Sequence, residues 1–473
     1  MIENQQASFK PSLSLLDATM IVAGSMIGSG IFLVSAEIAR SVGSAGWFTV
    51  MWVLAGIVTM IAAVSYGELS GMYPRAGGQY VYLREAYNPF VAFLFGWTQF
   101  SVIQTGTIAA VAVAFAKFTA YLIPAVSEQH ILWDAGFMKV SAAQIVAIIS
   151  IILLTYINTK GIRNGKIIQT VFTLAKLLSL FGLIIFGFLI GARAEVWNAN
   201  WQNAWATMSL QQVNGQTVTT MLTGVAVLGA IAVSMKGSLF SSDAWNNVTF
   251  IAAEIKNPQK NIGRSLFLGT LIVTIIYVSA NLMYLSVLPL NEIAFAANDR
   301  VGVAAAEKIF GNSGSLIIAV MIMVSTFGCN NGLILSGARI YYTMAQDGLF
   351  FKQAASLNRY SVPEKGMWIQ CLWASLLCLS GRYGDLLALV IFGVLIFYVL
   401  TILGIFILRK KQPAAARPYK AFGYPVLPMV YIAVAVGLAL LLLVFEANYT
   451  LPGLGIILLG IPLYYWAMRK KQA

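Results

Sequence analysis

The sequence predicts an all-α integral membrane protein of twelve spans: two inverted five-span halves with broken first and sixth spans, plus two further C-terminal helices. Three observations lead there. Of 473 residues, 59% are hydrophobic and only 10% charged. The mean hydropathy of +0.79 lies outside the range of soluble globular chains. Apolar runs of about 20 residues follow one another, each long enough to cross a hydrocarbon core roughly 30 Å thick. Two of those runs are interrupted by small and polar residues where a stable span carries leucine.

Hydropathy and loop charge place the spans at about 15–40, 47–70, 88–123, 141–159, 165–191, 222–254, 265–289, 313–345, 367–381, 385–408, 424–446 and 451–468. The stretch Met1–Lys10 lacks the basic region and cleavage site of a signal peptide, so the chain reads as one polytopic domain over 1–473. A net charge of +13 first suggests a nucleic-acid partner. Its distribution argues against one: about 21 of the 30 Lys and Arg fall on one side of the membrane and about seven on the other. That is the positive-inside bias, and it puts both termini in the cytoplasm. Opposite them, Trp197, Trp201 and Trp205 read as an interfacial belt. The cysteines Cys329, Cys371 and Cys378 all fall in apolar spans, with neither a metal motif nor a disulfide framework.

Span one carries the first interruption, Gly24-Ser25-Met26-Ile27-Gly28-Ser29-Gly30. Glycine frees the backbone to leave helical geometry. In hydrocarbon a broken helix survives only where it faces protein or a watery cavity. Span six carries the second, Lys236-Gly-Ser-Leu-Phe240-Ser-Ser-Asp243-Ala-Trp245-Asn-Asn, with its expected break over 237–244. Five spans separate the two, so the same element crosses the membrane in opposite senses. This indicates inverted repeats over about 12–192 and 220–410, with helices over about 424–468 outside the symmetry and a site at the midplane. Small residues alone serve helix packing more often than binding. The second interruption turns the reading toward a site.

The chemistry follows from helix ends. Freed amides at a half-helix N-terminus attract an anion, and carbonyls at a C-terminus attract a cation. Two facing breaks therefore suit a zwitterion, its carboxylate on Gly28, Ser29 and Gly30 and its ammonium on carbonyls around Phe240, Ser241 and Asp243. Lys176, an ammonium in mid-span, is functional by default, against the plainer reading of a lysine snorkelling to an interface.

The segments Gly28-Ser29-Gly30-Ile31-Phe32 and Phe240-x-x-x-x-Trp245-Asn246, then Glu254 and Asn257-Pro258, resemble the L-type amino acid transporters of the amino acid–polyamine–organocation superfamily. Pro74-Arg-Ala-Gly77-Gly78-Gln-Tyr80, Lys176-Leu-Leu, Phe327-Gly-Cys-Asn-Asn331-Gly332 and Arg417-Pro418-Tyr-Lys420 continue the likeness from about residue 12 to 470. The resemblance implies a leucine-transporter-like fold and sodium-independent amino acid movement, often by exchange. It implies that Ser29 and Gly30 hold the substrate carboxylate, that Phe240 caps the site from outside, and that Asn246 steadies the break. Lys176 would stand where coupled relatives hold sodium, tying span one to span eight near Gly24 and Ser325. Gln104, Thr107, Phe392 and Leu395 are candidates for lining the side-chain pocket or for ordinary packing, and the neutrality of Gln104 favours neutral amino acids. The cysteine through which animal members join a single-span glycoprotein is missing from 125–141, so no disulfide-linked heavy chain is expected.

The expected function is sodium-independent transport of neutral L-amino acids in the cell inner (plasma) membrane, with no cofactor or metal. Asp243, where animal members usually have glycine, reads either as a carboxylate facing the hydrated inner vestibule or as favouring a rival: a proton-coupled carrier, or one of cationic amino acids or polyamines. A membrane channel is a rival of another class, since broken helices also line selectivity filters. A membrane acyl or glycosyl transferase needs a catalytic cluster at the membrane face, and the one histidine, His130, lies in a loop. A primary pump needs a phosphate loop, and no GxxxxGK[ST] occurs.

Overall fold

The computed structural model describes residues 11–134, 139–380 and 383–472, with the side chains of 162–169, 380, 383–385 and 470–472 left aside. The stretch Met1–Lys10 and the side chains of Arg163, Lys166, Lys470 and Lys471, which count toward the expected cytoplasmic excess of positive charge, lie outside this description. Among the described residues, nine helices are long and apolar enough to cross a membrane, and the bent pair Leu15–Met26 plus Gly30–Val42 makes a tenth. Each expected span overlaps a helix among the described residues, although span six, expected over 222–254, also takes in the non-helical stretches 222–224 and 242–246.

Span one is α1 (Leu15–Met26) and α2 (Gly30–Val42), bent by 41° at Ile27-Gly28-Ser29. A capping box opens α1, with Ser14 and Asp17 exchanging side-chain and backbone bonds. Next come α3 (Ala45–Met72), the short α4 (Gln79–Ala86), α5 (Pro89–Thr98) and α6 (Gln104–Leu122). A π-helical turn over Gln99–Ile103 joins α5 to α6, an irregularity frequent at functional sites. A hairpin of β1 (Ile131–Asp134) and β2 (Lys139–Ser141) leads into α7 (Ala142–Thr159) and α8 (Ile162–Phe186). His130 and Asp134 stand at an HxxxD spacing, but on an exposed hairpin where Asp134 pairs with Lys139 at 3.0 Å.

The chain continues through α9 (Ala194–Trp201) and the hairpin of β3 (Met208–Val213) and β4 (Gln216–Met221). It runs through α10 (Val225–Ser241), α11 (Asn247–Phe250), α12 (Pro258–Val287), α13 (Leu290–Ala294), α14 (Val301–Gln346), α15 (Glu364–Ser380) and α16 (Tyr383–Lys411). Non-helical Gly311 divides α14, so its apolar part matches the expected span eight. The last two helices, α17 (Val426–Phe445) and α18 (Ala447–Gln472), lie at the periphery. Large exposed apolar residues such as Ile149, Leu178, Ile275, Leu440 and Val444 face outward, as lipid contact demands.

The break in span six requires a correction. It was expected over 237–244, but α10 is helical through Ser241 and the non-helical stretch is 242–246. The serines that suggested a break turn their hydroxyls back onto their own helix: Ser238 donates to the Ser234 carbonyl and Ser241 to Gly237. That satisfies them without interrupting the ladder. The chain leaves the helix only at Asp243-Ala244, where Ala244 takes φ +65°.

Candidate functional site

The two breaks touch. A Cβ on Gly30 would lie 2.1 Å from the Ser241 Oγ and 2.9 Å from the Ser241 Cα, so only glycine lets α2 approach the end of α10 this closely. The Tyr277 hydroxyl on α12 sits between them, 2.9 Å from the Met26 carbonyl and 3.0 Å from that of Ser241. A small cavity opens beside this contact, lined by Gly28, Ser29, Gly30, Thr107, Phe240, Ser241 and Asp243.

The last carbonyls of α1 are all engaged by side chains from other helices. Lys176 donates to Gly24 and, at 2.8 Å, to Ile27. Ser325 also donates to Ile27, at 3.4 Å, so lysine and serine share one carbonyl. The Cys329 thiol reaches the Ser25 carbonyl, 3.0 Å away, and Tyr277 takes Met26. A helix C-terminus leaves its final carbonyls unpaired and carries partial negative charge. Here a fully buried ammonium answers that charge. The N-terminus of α2 begins at the cavity wall, and the first amides of a helix have no partner within it. One end of the break is thus closed by protein; at the other the Gly28 amide donates to the Met26 carbonyl at 2.9 Å, and the α2 N-terminus carries the partial positive charge that suits an anion.

At the second break the Phe240 carbonyl accepts from the Asp243 amide at 3.2 Å, and the Ser241 carbonyl accepts from Tyr277. The Asp243 carboxylate accepts from the Tyr398 hydroxyl at 2.6 Å. Lys236, one turn before Phe240, does not pair with it. Its ammonium bonds Glu37 at 2.9 Å and Glu446 at 3.1 Å, joining α10 to α2 and to the α17–α18 junction. Asn246 donates to Gln79 at 3.1 Å, and Gln79 in turn donates to Phe397 and Thr401 on α16.

The proposed side-chain lining divides. Thr107 lines the cavity between the breaks. Gln104 lies in an adjoining polar cavity, bonded to Gln99 and to the Leu333 carbonyl. Leu395 lines a third, apolar cavity, and Phe392 lines none of these three; its ring lies near Gly453 of α18. Tyr277 and Tyr398 escaped the sequence reading, each an aromatic within an apolar segment, and Cys329, read there only as a cysteine without a metal motif or disulfide framework, was given no role at the break. Glu68 escaped it too. Buried at the end of α3, it takes Arg409 through two bonds of 2.9 and 2.7 Å and lies 3.3 Å from Arg417, within the Arg417-Pro-Tyr-Lys420 segment.

Residues 13–466 match the amino acid permease family. The chain belongs to that family. Over its whole length this permease is 30% identical to the whole of the serine/threonine exchanger SteT of Bacillus subtilis (strain 168). It is 28% identical to the large neutral amino acids transporter small subunit 2 of Mus musculus, over 98% of this chain and 83% of that one. With the Asc-type amino acid transporter 1 of Mus musculus it shares 27% over 99% and 84%. The resemblance to L-type transporters drawn from the motifs is thereby shown, and the permease is a multi-pass membrane protein.

Proposed function

We propose that this permease is a sodium-independent exchanger of neutral L-amino acids in the inner (plasma) membrane, both termini cytoplasmic, alternating access around the two breaks. The observation that carries this reading is the contact of the α2 N-terminus with the end of α10 beside one small cavity. The amides and hydroxyl around Gly28, Ser29 and Gly30 take the substrate carboxylate. Carbonyls around Phe240, Ser241 and Asp243 take its ammonium, and Phe240 caps the site. Lys176 supports sodium independence physically, since a tethered ammonium stands on carbonyls that would otherwise suit a cation. The two interrupted spans are counterparts in inverted repeats over about 12–192 and 220–410. The relatives' names, an exchanger and two amino acid transporters, agree with this assignment.

Counterflow in proteoliposomes tests it. Uptake of labelled amino acid is expected to be saturable, accelerated by amino acid inside, and equal in sodium and potassium buffers. A channel gives no such acceleration. Ser29→Phe is expected to abolish exchange in protein that remains folded by size-exclusion profile, and undiminished exchange refutes the placement. A second reading rests on Asp243, an intramembrane carboxylate with no ion pair among the described residues. Proton coupling or cationic substrates would follow from it. Asp243→Asn separates the two: altered pH dependence or lost lysine uptake favours the second reading, and an unchanged profile favours the first.

A further inference from the structure

Three cavities meet at Asp243, and they differ in what they offer a substrate side chain. The apolar one, which includes Val58, Ala62 and Leu395, shares only Asp243 with the cavity between the breaks. The polar one shares Thr107, Asp243 and Ala244 with it and so adjoins the breaks along a wider wall. Its walls include Gln79, Gln104 and Asn246, whose amides are occupied by protein partners. Asn247 differs. It is 1% exposed, lines this cavity, and its Oδ1 has no hydrogen-bond partner. Thr107 donates its proton to the Ile103 carbonyl, which leaves its oxygen an acceptor. A buried acceptor without a partner is rare in folded proteins and calls for a donor. The polar cavity is therefore short of donors, while the apolar one asks for none.

We infer that the polar cavity is the side-chain subsite and that it selects neutral amino acids whose side chains carry a donor, hydroxyl or carboxamide, over aliphatic and aromatic ones. This rests on the exchange reading above and narrows its substrate class. A site built to bond a donor discriminates sharply against analogues lacking one, because the acceptor is then left unpaired. Counterflow by the full chain in proteoliposomes provides the test, using labelled alanine with serine, threonine, asparagine, glutamine, leucine, phenylalanine and lysine as competitors. The best of the first four is expected to compete at least about tenfold better than leucine or phenylalanine. In Asn247→Leu, and separately in Thr107→Val, that ratio is expected to collapse toward one. Leucine or phenylalanine competing equally well in the unmutated protein overturns the subsite, as does lysine competing best. A variant that weakens every competitor by the same factor overturns it as well. Exchange with no amino acid at all would instead refute the reading on which the subsite rests.

Discussion

Lys176 and Gly30 act on opposite sides of one break. Lys176 supplies the donors that the end of α1 lacks, and its removal leaves the Gly24 and Ile27 carbonyls short of partners in a fully buried place. Lys176→Met is expected to cost about 1–3 kcal/mol, the range for a buried group losing its partner, read as a lowered midpoint of thermal unfolding in detergent. Gly30 supplies proximity. Gly30→Ala drives a methyl into Ser241 and is expected to cost about 1–3 kcal/mol by overpacking. Adding Ser241→Gly should recover part of that loss, since the atoms nearest the new methyl are the serine side chain; no recovery would place the strain elsewhere. Gly28, Gly30 and Lys176 were legible in the sequence because each breaks a rule of membrane helices. Tyr277 was not, because its partner is a main-chain carbonyl 251 residues away and nothing in an apolar run marks such a pairing.

Between elements, the sequence reading did well where a helix fails outright and less well where polar residues stay inside one. The first break fell where Gly28-Ser29 predicted it. The second shifted to 242–246 because serine hydroxyls bond back to their own helix, which composition does not distinguish from a break. The π turn at Gln99–Ile103 left no mark in hydropathy either. Lys236 ties three elements together, and its charge is balanced by Glu37 and Glu446. Lys236→Met would leave two carboxylates facing each other without their cation. The expected loss is no more than about 3 kcal/mol, the low end for a broken buried pair, because Glu37 is 31% exposed. Lys236→Met with Glu446→Gln should unfold later than Lys236→Met alone, and equal midpoints would show that the triad carries no coupling.

Over the whole molecule, an all-helical membrane architecture was readable because lipid forces each segment to satisfy its own backbone. The internal architecture was less so: ion pairs such as Glu68–Arg409 and the fully buried Arg339–Glu254 at 3.0 Å join residues far apart in sequence. Such pairs hold the ends of α3, α14 and α16, the frame in which the broken helices sit. The proposed transport depends on that frame presenting an α2 N-terminus and an α10 C-terminus to one zwitterion. The direct measurement is counterflow inhibition by an amino acid beside two analogues, one without its carboxylate and one without its ammonium. The proposal predicts that the intact zwitterion inhibits and that each truncated analogue is weaker by at least about tenfold, the loss from leaving one charged partner unmet. Equal inhibition by either analogue would contradict it.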